Sequence, residues 1–206
     1  MRPLLMNPNS SAATTRAMLA IARRILPELM GWTAPEGPEM ITDADALARA
    51  AVRVGGADLP PVAGIIVSAF GDPGRAALAA RLTCPVVGIG AEAARAAGQG
   101  GRRFAVVTTT PGLRAGIDAL MGEAGDYMGC YITPGDPRAL MGDARALDAA
   151  LLAQIRRAAA AGAKAAIIGG GPLGEAADRL ADRSPIALVA PIPTAAAALK
   201  ARLNLR

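Results

Sequence analysis

An α/β fold of two pseudo-symmetric lobes, each a parallel sheet flanked by helices with a cleft between them, is predicted by three observations. Apolar runs of strand length alternate with longer alanine-rich segments of helical period. Two of those runs, Ile65 to Gly74 (IIVSAFGDPG) and Ile167 to Pro172 (IIGGGP), break abruptly into small-residue turns about a hundred residues apart. A weak internal repeat relates them: MNPNSS is followed about sixty residues later by SAFGDPG, and VTTTPG about sixty residues later by IIGGGP. Short connections between alternating strands and helices imply parallel sheets with right-handed crossovers.

The elements follow in order. Strands are expected near Pro3 to Met6, Met30 to Thr33, Val62 to Ser68, Pro85 to Ile89, Phe104 to Thr109, Tyr127 to Ile132, Ala165 to Ile168 and Ile186 to Val189. Helices fall between them, over Ser11 to Leu29, Ala44 to Val54, Gly74 to Leu82, Ala91 to Ala97, Gly112 to Ala124, Asp143 to Ala161, Leu173 to Ala181 and Pro193 to Leu203. Asp43, Asp72 and Pro193 serve as start signals and Gly162 as a stop. The repeat places one lobe over residues 1–98 and the other over 99–190, divided at GQGGR, with 191–206 a helix packing back on the first lobe.

Composition narrows the function. With 206 residues and 52% hydrophobic side chains the chain has ample material for a core. The start, MRPLLMNPNSS, has too short an apolar core for a secretory signal, and the most apolar later segment is interrupted by Lys164, so a soluble cytoplasmic protein without membrane contact is expected. The net charge of +5 is spread over helix faces, and aromatic residues make up only 2%, which argues against nucleic-acid binding. Cys84 and Cys130 have no CxxC spacing and no neighbouring histidine, so neither a disulfide framework nor a metal site is expected.

The four strand-end loops of the repeat would meet in one cleft, where helix starts present free N–H groups to anions. In Asn7 to Ser11 one of Asn9, Ser10 and Ser11 caps a helix while the others can offer donors to a carboxylate or carbonyl. The second loop offers Ser68, the N–H groups of Phe70 and Gly71, and Asp72, which is either a helix cap or an acid–base group. Thr108, Thr109 and Thr110 form the counterpart of the first loop, and the bare backbone of Gly169, Gly170 and Gly171 suits close ligand approach. That glycine run lacks both the lysine of a P-loop and the spacing of a dinucleotide fingerprint, so no nucleotide cofactor is expected. The absence of histidine excludes Ser-His-Asp and Cys-His catalytic units.

Read together, NPNSS, GPEMIT at Gly37 to Thr42, AFGDPG at Ala69 to Gly74, PVVGIGAEAA at Pro85 to Ala94, FAVVTTT at Phe104 to Thr110 and the glycine turn after AAII resemble the aspartate/glutamate/hydantoin racemase superfamily, most closely its hydantoin racemase branch. The resemblance implies a cofactor- and metal-independent site between the lobes, small substrates with an acidic carbon beside a carbonyl, and a homo-oligomer. It also implies two facing cysteines as proton carriers, one directly before the FGDPG segment and one in the second glycine turn. Here those positions hold Ala69 and Gly170. Three readings follow: an isomerase on small carboxylates or cyclic ureides with Ser68, Asp72, a tyrosine or water in place of the thiols; a cofactor-free decarboxylase or hydrolase; and a non-catalytic small-molecule binder.

Overall fold

The computed structural model describes residues 1–122 and 124–204, so Glu123, within the expected fifth helix, and 205–206, at the end of the expected C-terminal segment, lie outside the described residues. Two four-stranded parallel sheets carry the chain. In the first, β1 (Leu4–Asn7), β2 (Met30–Thr33), β3 (Ile65–Val67) and β4 (Val86–Gly88) run in the order β2-β1-β3-β4. In the second, β5 (Phe104–Thr108), β6 (Tyr127–Ile132), β7 (Ala165–Ile168) and β8 (Ala187–Val189) repeat that order as β6-β5-β7-β8. The central strands β1, β3, β5 and β7 are buried along their whole length, which is why they read as continuous apolar runs without alternation.

Helices α1 (Ala12–Ala22), α2 (Ala44–Gly56), α3 (Arg75–Arg81), α4 (Ile89–Ala97), α5 (Arg114–Gly122), α6 (Pro137–Gly142), α7 (Ala144–Ala160), α8 (Gly174–Leu180) and α9 (Pro191–Asn204) cover the sheets. Their ends follow local chemistry. Ser11, Asp43, Asp136 and Asp143 each accept a backbone N–H from the first turn of α1, α2, α6 and α7. Helix α7 stops in a Schellman arrangement: Gly162 takes a φ of +102°, its N–H reaches the Ala159 carbonyl at 2.9 Å, and the Ala163 N–H reaches that of Ala158 at 3.0 Å.

The structure corrects the sequence reading in three places. Helix α1 ends at Ala22 instead of Leu29, because Pro27 has no N–H to continue the ladder and disfavours helical backbone at the residue before it. The short helix α6 was not expected. It forms because Asp136 caps it and Pro137 occupies its first position. Asp72, expected to start its own helix, does not cap α3; the N-cap there is Gly74 with a φ of +78°.

The two sheets share one core. Leu5 and Ile66 from the first, Phe104, Val106 and Ile167 from the second, and Ile192 and Leu199 from α9 belong to a single buried cluster. Helix α9 packs on α1, α4 and strands β3 and β4. No described helix is long and apolar enough to cross a membrane.

Candidate functional site

In each sheet the connections leave the middle pair of strands toward opposite edges, so the switch points between β1 and β3 and between β5 and β7 open crevices at the strand ends. The loops after these four strands face one another around a cavity of about 200 Å³.

Asn7 builds the first loop from beneath. Its buried side chain donates to Asn9 Oδ1 (2.8 Å) and Thr15 Oγ1 (3.0 Å), while its own oxygen accepts the Asn9 N–H at 3.2 Å. Asn9 Oδ1 also accepts the Ser11 N–H at 3.0 Å. The side-chain N–H groups of Asn9, which lines the cavity, therefore have no partner among the described residues. Ser10 points elsewhere. It does not line the cavity; its hydroxyl donates to the Gly37 carbonyl at 2.8 Å and its N–H to that of Pro38 at 3.1 Å.

Ser68, Ala69 and Phe70 line the cavity from the second loop. The Ser68 hydroxyl gives its proton to the Met6 carbonyl at 2.8 Å, so it is already committed as a donor. Gly71 and Asp72 lie outside the lining. The Asp72 carboxylate, 7% exposed, turns to the next helix and accepts the N–H groups of Gly90 at 2.7 Å and Ala91 at 2.8 Å, which start α4. Burial pushes it up to about 6, against the opposing pull of the two N–H bonds and of Arg75. Gly71 holds a φ of +111° and Asp72 one of +51°, the backbone that aims this carboxylate at α4.

From the second lobe come Thr108, Thr109 and Thr110 and the glycine run Gly169, Gly170 and Gly171. Thr108 donates to the Gly169 carbonyl at 2.7 Å and lies 3.3 Å from the Thr110 hydroxyl, whereas the Thr109 hydroxyl makes no bond among the described residues. The glycine run is packed tightly: a Cβ would stand 2.9 Å from Val106 at Gly169, 2.9 Å from Leu173 at Gly170 and 2.5 Å from the Met18 sulfur at Gly171. The N–H groups of Ala69, Phe70, Gly170 and Gly171 donate to nothing among the described residues. They suit a developing oxyanion.

The structure thus brings together Asn9, Ser68, Phe70, Thr108, Thr109, Thr110, Gly170 and Gly171, and leaves Ser10, Gly71 and Asp72 behind the wall. Sequence reasoning missed Glu39 and the apolar residues Met18, Ile41, Leu113 and Met141, which also line the cavity. Glu39 lies within GPEMIT, on the loop after β2, and a search of every strand-end loop for carboxylates would have found it. Neither cysteine lines the cavity; Cys130 sits in β6, where burial pushes its thiol up to about 11.

A sequence profile described as Asp/Glu/hydantoin racemase matches residues 4–199. An allantoin racemase from Pseudomonas fluorescens shares the fold with a TM-score of 0.90 at 25% identity, covering 100% of this chain and 92% of that one. An allantoin racemase from Klebsiella pneumoniae gives 0.85 at 25% identity, covering 100% and 88%. A glutamate racemase from Thermus thermophilus gives 0.70 at 20% identity, covering 99% and 81%. No curated protein sequence matches the chain significantly.

Proposed function

From the premise that the chain belongs to the Asp/Glu/hydantoin racemase family, we propose that it is a cofactor-independent isomerase acting on a small neutral cyclic ureide, by a mechanism that does not use two thiols. One observation carries the choice of ligand. Among the described residues the cavity lining contains no lysine or arginine, and its one charged side chain is Glu39. An amino acid or dicarboxylate would bring anionic charge into a site without a cation and beside a carboxylate, whereas a neutral ring carbonyl is met by the free N–H groups of Ala69, Phe70, Gly170 and Gly171. The apolar wall of Met18, Ile41, Leu113 and Met141 suits a ring substituent.

Abstraction of the proton from the carbon between the ring carbonyl and the substituent leaves an enolate whose oxygen those N–H groups stabilise. Hydrogen bonds that strengthen as the charge develops lower the barrier more than they tighten ground-state binding. The test is incubation with enantiopure hydantoins or allantoin in D₂O, and in parallel with L-glutamate. Deuterium at the stereocentre of the ureides and none in glutamate is expected. Exchange of glutamate alone, or ring opening without exchange, would refute the reading.

A further inference from the structure

Building on the isomerase reading above, we propose that Glu39 is the catalytic acid–base group of the cavity, doing with one carboxylate what a pair of facing groups would otherwise share. Glu39 is the only ionisable side chain in the lining among the described residues. The alternatives are engaged elsewhere. Asp72 is bound to the start of α4, Ser68 and Thr108 give their protons to backbone carbonyls, and Tyr127 donates to Asp118 outside the cavity. Glu39 is exposed at the cavity mouth and forms no hydrogen bond or ion pair among the described residues, so its carboxylate is uncommitted.

The backbone that carries it is held from both lobes. Before Glu39, the Ala34 N–H donates to Asn7 at 3.0 Å, and Ser10 binds the carbonyls of Gly37 and Pro38. Gly37 itself, at a φ of +113°, rests on the Arg53 guanidinium so closely that a Cβ would stand 2.6 Å from Nη2. After Glu39, Ile41 is buried, and the Thr42 carbonyl approaches Gly112 of the second lobe so closely that a Cβ there would stand 2.5 Å away. Ser10 and Gly112 are thus positioning residues for a carboxylate they do not touch. A proton carrier has to be placed within hydrogen-bond reach of the carbon it serves, and a loop pinned on both sides of it provides that placement.

The step balances without another reactant. Glu39 takes the proton from the ring carbon, the C–H electron pair moves into the adjacent carbonyl, and the enolate oxygen accepts the N–H groups at the two strand-end turns. The protonated carboxyl then returns a proton to the same carbon. Return to the original face gives exchange alone, and return after the planar ring turns over in the cavity gives inversion. Because Glu39 is open to water, its proton exchanges with solvent before it is returned.

The experiment follows loss of the C5 proton signal of enantiopure 5-isopropylhydantoin in D₂O at neutral pH. Exchange by the wild-type protein and a fall of at least ~100-fold in Glu39→Gln, with the hydantoin Kd changed by less than about threefold, are expected. Glu39→Ala should regain exchange on addition of formate, a rescue that a merely structural role would not show. Glu39→Gln exchanging at the wild-type rate would overturn the assignment and leave the isomerase reading standing. A wild-type protein that exchanges the C5 proton of neither this hydantoin nor allantoin would overturn both.

Discussion

Asp72 and Gly170 show how single residues in the four loops divide between structure and chemistry. The Asp72 carboxylate accepts both N–H groups that open α4, so Asp72→Ala should lower stability by about 1–3 kcal/mol through loss of a buried cap, measured by urea unfolding, with ligand binding retained. Its proton affinity also sets a pH dependence. The folded protein holds this proton up to about 6, against 3.8 ordinarily, so the native state binds it more tightly than the unfolded chain. That contribution is full below pH 3.8 and is lost as pH rises through about 6; Asp72→Asn should remove this decline from unfolding midpoints compared between pH 4 and 7. At Gly170, with a φ of +157° and Leu173 at 2.9 Å from a would-be Cβ, Gly170→Cys should cost about 1–3 kcal/mol, partly relieved by adding Leu173→Ala. Ala69 has no positive φ and should accept cysteine with little loss. These differences explain why the two positions that held thiols in the family resemblance are not equivalent here.

Most elements were legible in the sequence because local chemistry and burial agree. Strands β1, β3, β5 and β7 are buried throughout, apolar but for Asn7 and Thr108 at the ends of β1 and β5, and central in their sheets, and the caps Ser11, Asp43 and Asp143 stand where their helices begin. Helix α1 reads too long in the sequence because apolar residues continue at helical spacing (Ala22, Ile25, Leu26, Leu29) past Ala22, where it ends ahead of Pro27. The loop after β2 was harder to read. Nothing local says that 34–42 crosses to the second lobe; that follows from the approach of the Thr42 carbonyl to Gly112. Gly112→Ala should push this loop from the cavity and reduce kcat for ureide exchange by about tenfold or more, with a smaller change in KM, because a displacement on the order of 1 Å misplaces Glu39 without removing it. Thermal unfolding alongside kinetics separates this from general destabilisation.

At the scale of the molecule, the two sheets and α9 close one core, and an ion cluster ties its ends. Glu92 of α4, 5% exposed, binds Arg202 of α9 at 2.6 Å and pairs with Arg95 on its own helix. Both arginines are partly in water, so Glu92→Ala should cost about 1–2 kcal/mol rather than the larger loss of a fully buried pair. The expected signature is an earlier but still single urea transition, since β strands of both lobes share the same buried cluster. By itself the sequence determined the α/β class and the paired lobes, because hydrophobic period, turn residues and repeat spacing are written in order along the chain, and its strand-end motifs carried the family resemblance. Only the tertiary structure decided which side chains face the cavity, turning Asp72 to α4 and Ser10 to the β2 loop while bringing Glu39 to the mouth. Those choices depend on backbone torsion and on contacts between segments distant in sequence, which no local pattern encodes.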